Sequence, residues 1–110
     1  ISSEYDSRYL GDYITQRAAF SMKSKTANGH PAPVVLPDGT HQIAGELYRI
    51  DKSLLDYIDL MEGHPVVYKR VPVSLKGAEQ SVWMYLVESD EPVFSSDYVE
   101  IEGGIASFIQ

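Results

Sequence analysis

Gly45 to Arg70, GELYRIDKSLLDYIDLMEGHPVVYKR, is punctuated as a strand, a capped helix, a sharp turn and a second strand. Asp51 has an N-cap side chain, whose oxygen accepts from the free N–H groups of a first helical turn. Leu54, Leu55, Ile58 and Met61 follow at the three-and-four spacing of one buried helical stripe. Gly63 supplies a left-handed C′ residue, and Pro65 prevents the helix from resuming. The spacing therefore predicts a helix from Lys52 to Glu62.

Glu62 falls four residues after Ile58 and seven after Leu55, on the apolar stripe in the last turn. Burial and the negative end of the helix dipole both disfavour a charged carboxylate there. Such a group can take and return a proton near neutral pH. The plainer reading is that Glu62 points outward at the helix end. Asp59 lies at the margin of the stripe and Asp56 on the polar side, so both are weaker candidates.

Outward from this stretch, alternation predicts strands. Upstream, His41 to Ile50 (HQIAGELYRI) places Ile43, Gly45 and Leu47 on one face and Ala44, Glu46, Tyr48 and Ile50 on the other. Gly45 removes a side chain where something must approach the backbone. Tyr9 to Gln16 alternates as a strand, with Gly11 permitting a bulge. Ala18 to Met22 and Val34 to Leu36 read as short strands. Lys23 to Pro33 (KSKTANGHPAP) reads as an exposed loop, and Pro37-Asp38-Gly39-Thr40 as a turn. Downstream, Tyr68 to Leu75 is a strand whose Pro72 suggests an edge or bulge. A turn at Lys76-Gly77-Ala78-Glu79 leads into a strand over Ser81 to Val87. Periodicity gives an α+β, strand-rich domain.

Composition narrows the function classes. A chain of 110 residues with 44% hydrophobic content makes one domain with a single core. Sixteen acidic against nine basic residues leave a net charge of −7, which argues against nucleic acid as a partner. The absence of cysteine excludes disulfides, thiolate catalysis and zinc–thiolate sites. No apolar run is long enough to cross a membrane, and no signal-peptide pattern is present. His30, His41 and His64 have no metal-ligand spacing, so no metal is expected; His64 stands two residues from Glu62.

The runs GELYRID, LLDYIDLMEG and YKR, in that order, resemble the gamma-glutamyl cyclotransferase-like family, which includes gamma-glutamylamine cyclotransferases and AIG2-like proteins. Gly45-Glu46-Leu47-Tyr48, Asp59-Leu60-Met61-Glu62-Gly63 and Tyr68-Lys69-Arg70 carry the likeness, with Trp83-Met84-Tyr85-Leu86-Val87 resembling a late family strand. Tyr9-Leu10-Gly11-Asp12-Tyr13 resembles the family's second strand, so the likeness spans Tyr9 to Val87. It implies a small, mostly antiparallel, barrel-like sheet with one main helix and a cavity at one end, formed as one domain over residues 1–110. It also implies a helix fragment over Ser2 to Arg8. Lys23 to Pro33 would then border the pocket, where it could gate entry.

The family's first strand ends in Y-G-[ST]-L, a motif not found in this sequence, and counting back places it before Ile1. The tail also departs from the pattern, with Ile105-Ala106 where the family carries a tryptophan.

The resemblance implies a cytoplasmic, cofactor-free enzyme that releases 5-oxoproline from a gamma-glutamyl amine or amino acid. Glu62 matches the family's proton shuttle, and Tyr68 and Tyr85 match pocket aromatics. Tyr68 and Tyr85 can equally be sheet-edge core residues with a wet hydroxyl. Arg70 can pair with Glu46 or another surface acid as readily as touch substrate. The competing reading is a binding or regulatory module that keeps the cavity without chemistry. A third is a domain that self-associates through Phe108-Ile109.

Overall fold

The structure, a computed structural model, describes residues 7–109. Eight strands and one helix follow in order: β1 (Ser7–Ile14), β2 (Phe20–Ala27), β3 (His30–Pro37), β4 (Gln42–Ile50), α1 (Lys52–Glu62), β5 (Lys69–Val73), β6 (Val82–Leu86), β7 (Val99–Glu102) and β8 (Ile105–Phe108). Strands β1-β4-β8-β7 form one sheet, while β2–β3 and β5–β6 are two-stranded hairpins. All pairings are antiparallel except β4 with β8, where Gln42 and Ile43 face Ile105 and Ala106 in parallel.

Short seams join these pieces into a ring. Phe20 and His41 exchange backbone hydrogen bonds at 2.8 and 3.0 Å, tying β2 to the start of β4. The Val87 N–H donates to the Val35 carbonyl at 3.0 Å, tying β3 to the end of β6. Beyond β5, the N–H of Lys76 donates to the Ile14 carbonyl and that of Gln16 to the Ser74 carbonyl, both at 2.9 Å. With β1 paired along β4, the circuit closes. The expected mostly antiparallel, barrel-like α+β architecture is what forms.

Two apolar clusters fill it. Met22, Ile43 and Ala106 are buried together, with Phe20, Val35, Val99 and Phe108 packed against them. Val34, Leu36 and Val87 form the second, flanked by Tyr68 and Phe94. Phe108 thus packs on the core of its own chain. The buried Thr15 hydroxyl donates to the Arg17 carbonyl at 3.2 Å and accepts from the Ile43 N–H at 2.9 Å, so its polar atom is satisfied.

Several local expectations are corrected. Lys23 to Pro33 is not a loop: β2 and β3 pair in unbroken register from Phe20–Pro37 to Ala27–His30. Asn28 (φ 54°) and Gly29 (φ 78°) form the tight turn between them, where both central residues need positive φ. The two prolines of this segment sit in β3, whose paired neighbour β2 supplies alternating buried Met22 and Ser24. Ser7 and Arg8 belong to β1, and the remainder of the proposed N-terminal helix fragment lies outside the described residues. The bulge falls between Tyr9 and Gly11, with Leu10 unpaired in the β1–β4 register and Gly11 at positive φ beside it.

The helix runs from Lys52 to Glu62 as read. The Leu54 N–H donates to Asp51 Oδ1 at 2.8 Å, and Gly63 adopts the left-handed conformation (φ 69°). The His64 N–H then donates back to the Asp59 carbonyl at 2.9 Å, closing the helix end. The stripe differs from the expected one. Met61 is 68% exposed and Leu60 78%, while Leu55, Ile58, Asp59 and Glu62 are half-buried. The helix is rolled to bring Asp59 inward, and the reason is the ion pair described next.

Candidate active site

Beyond Gly63 the chain folds straight back. The N–H groups of Val66 and Val67 donate to the Gly63 carbonyl at 2.8 and 2.9 Å, and the Tyr68 N–H donates to the Glu62 carbonyl at 3.2 Å. This compact reversal sets Tyr68 beside the last helical residue. A Cβ at Gly63 would lie 2.9 Å from the Val67 side chain, so only glycine fits both the turn and its positive φ.

Glu62, Tyr68 and Tyr85 line one cavity of about 360 Å³. Strand β4 contributes Ala44, Gly45 and Glu46, and the β2–β3 hairpin contributes Lys25 and Pro33. The volume lies in the range of small-molecule sites. Gly45 opens onto space: a Cβ built there meets no atom within 4 Å. Its expected close backbone approach is therefore not made by any described residue.

Beside the cavity stands a tight polar cluster. Arg70 Nε and Nη2 donate to Asp59 Oδ1 and Oδ2 at 2.9 and 3.0 Å, a bidentate pair. The Tyr85 hydroxyl donates to Asp59 Oδ1 at 2.5 Å. The Arg70 guanidinium also lies 4.2 Å from the centroid of the Trp83 ring. The Arg70 backbone N–H donates to His64 Nδ1 at 3.0 Å, which makes that nitrogen the unprotonated one. Arg70 therefore pairs with Asp59, and not with Glu46, whose carboxylate instead accepts from the Tyr48 hydroxyl at 3.1 Å.

The charges follow the contacts. The Arg70 guanidinium, and after it the Tyr85 hydroxyl, hold Asp59 below the usual carboxylate range. Burial pushes the Tyr85 hydroxyl well above the ordinary tyrosine range, and the bond to Asp59 adds to this. Asp59 is thus a fixed anion and Tyr85 a fixed neutral donor. Neither is poised to exchange protons near neutral pH. No hydrogen bond or ion pair holds the Glu62 side chain among the described residues. Its negative charge is felt at Tyr85, which places the two near each other.

Lys25 escapes a reading of the sequence, and Asp59 is read there only as a weaker candidate. Lys25 was expected on an exposed loop; the Asn28-Gly29 dipeptide between arms of equal length is the signal that would have put it on a strand. Asp59 sits at the stripe's margin by spacing alone, and what draws it inward is the arginine of Y-x-R on the next strand.

The chain matches the family model "Gamma-glutamyl cyclotransferase, AIG2-like" over residues 3–102. A Methanocaldococcus jannaschii protein, provisionally named a gamma-glutamylcyclotransferase, is 35% identical over 75 residues, covering 64% of this chain and 62% of the relative. Gamma-glutamylaminecyclotransferase A of Danio rerio is 27% identical over 78 residues, covering 66% of this chain and 48% of the relative. The chain thus spans roughly half to three-fifths of these relatives' length. A crystal structure of a mouse AIG2-like protein has the same fold, with a TM-score of 0.52 and 23% identity over 78% of this chain and 62% of that one.

Proposed function

The chain belongs to the AIG2-like gamma-glutamyl cyclotransferase family, and from that membership we propose that it releases 5-oxoproline from a gamma-glutamyl amine or amino acid, with Glu62 as general base and then general acid. The observation that supports this most is the convergence of Glu62, Tyr68 and Tyr85 on one cavity. Glu62 takes a proton from the substrate's α-ammonium. The freed amine attacks the γ-carbonyl carbon, forming the ring C–N bond; the old C–N bond breaks as the leaving nitrogen receives the proton from Glu62, and the ring nitrogen passes its remaining extra proton to the released amine, which departs as an ammonium.

Nucleophile and electrophile belong to one molecule. The site therefore needs to hold a folded conformer and move a proton, and effective molarity supplies much of the acceleration. Val34, Val35, Ile43 and Met84 give the cavity an apolar wall against which the folded substrate can pack. Tyr68 and Tyr85 shape the wall. Tyr85 presents its ring, because its hydroxyl is already committed to Asp59.

The test is 5-oxoproline release from gamma-glutamyl amines, with Glu62→Gln as control. Turnover in the control equal to that of the parent chain removes Glu62 from the mechanism. A cavity that binds these amines without turnover favours the non-catalytic module.

A further inference from the structure

We propose that Lys25 anchors the α-carboxylate of the gamma-glutamyl group, a role that rests on the cyclotransferase reading above. Among the described residues, three charged ones line the cavity: Glu46, Glu62 and Lys25. The substrate's α-carbon carries both an ammonium and a carboxylate. If the ammonium is to meet Glu62, its carboxylate neighbour enters a wall that already holds two acids. Glu46 is exposed but Glu62 is half-buried, and a like charge beside a partly desolvated acid is repelled, so a cation close to Glu62 favours the substrate's carboxylate.

Lys25 is the cation among the described lining residues, and it is well placed. Its ammonium lies 5.1 Å from the centroid of the Tyr68 ring. Tyr68 is in turn bonded through its N–H to the Glu62 carbonyl at 3.2 Å. One residue thus holds the base through its backbone and the cation over its ring. Two positions earlier on the same strand, Lys23 pairs with Asp90 at 2.6 Å. Lys25 has no such carboxylate partner among the described residues. Lys25 and Tyr68 also line an adjoining groove of about 600 Å³ with Val66, Val67 and Phe94. The ammonium therefore stands at the boundary between the inner cavity and an outer opening, where it meets an entering carboxylate early.

The experiment compares γ-L-glutamyl-n-butylamine with its α-carboxamide counterpart, whose amine can still cyclise. Ring product is measured for the full chain, Lys25→Met and Lys25→Arg. The parent chain is expected to prefer the carboxylate substrate on the order of 10- to 100-fold in kcat/KM, the scale of one charge-assisted hydrogen bond. Lys25→Met should lose that preference, chiefly through KM, and Lys25→Arg should recover much of it. A fold defect alone would lower both substrates equally. Calorimetric binding of the same two ligands to Glu62→Gln reads the preference without turnover, so failure of the chemistry and failure of the anchor are separate outcomes. An unchanged carboxylate preference in Lys25→Met overturns the assignment. So does a parent chain that binds both ligands equally or binds neither.

Discussion

Asp59 and Glu62 stand three residues apart on the inward side of α1, and their surroundings are opposite. Asp59 is locked, with a bidentate arginine, a tyrosine hydroxyl and a side chain 17% exposed. Glu62 faces a hollow and, among the described residues, is tethered through its backbone alone. The first arrangement holds the helix end against β5 and β6. The second leaves a carboxylate able to change partners. Proximity in sequence therefore says little about role; what each oxygen touches decides it.

The largest effect tests the Glu62 half of that contrast. Glu62→Gln should lower turnover on the order of 10²- to 10⁴-fold, the usual worth of a positioned acid–base group. Its thermal midpoint should stay close to that of the parent chain, as read by circular dichroism. A comparable loss of turnover in Asp59→Asn, with no loss in Glu62→Gln, would reverse the two roles.

Asp59→Asn should instead lower the thermal midpoint by several degrees, because it weakens the arginine's pairing at a half-buried site. The pH dependence has a definite sign. The folded-state value for Asp59 lies below the ordinary 3.8, so its stabilising contribution is fully present above that pH. It is lost as the pH falls through the folded-state value. Midpoints of parent and Asp59→Asn should stay separated by a constant amount from neutral pH to mildly acid conditions, then converge below the ordinary carboxylate value. A gap that widens toward low pH contradicts the assignment.

Tyr85→Phe sharpens the comparison further, since Tyr85 touches both halves. It removes one hydrogen bond while the arginine pair remains, so chemical denaturation should show a loss of about 0.5–1.5 kcal/mol. Turnover should fall far less than in Glu62→Gln, because the ring that lines the cavity is kept. The smallest effect concerns the outer face of the helix. Met61→Ala should change stability by no more than about 0.5 kcal/mol, as expected of a residue on the surface. A loss of core size would restore the stripe that simple apolar spacing predicts.

That last case shows where the sequence can be read and where it cannot. The helix ends were legible because Asp51 and Gly63 act locally, each satisfying backbone groups within a turn. The bulge beside Gly11 was legible for the same kind of reason. The roll of the helix was not, because it is fixed by Arg70 and Tyr85, distant in sequence and invisible to periodicity. The β2–β3 hairpin was hidden behind two prolines and two lysines that mimic loop composition, although Asn28-Gly29 marked its turn. Glu62, Tyr68 and Tyr85 were named from likeness to a family, but that they share a recess with Lys25 emerges only in three dimensions.

The parallel pairing of β4 with β8 has a consequence for how the molecule is born. Gln42 and Ile43 dock against Ile105 and Ala106, and the same strand goes on to carry Gly45 and Glu46. On the ribosome, the wall of the hollow is translated long before the strand that braces it. Contacts so far apart along the chain form slowly. The nascent domain therefore emerges with an unbraced recess, and the hollow gains its bracing strand late, once Ala106 has cleared the exit tunnel.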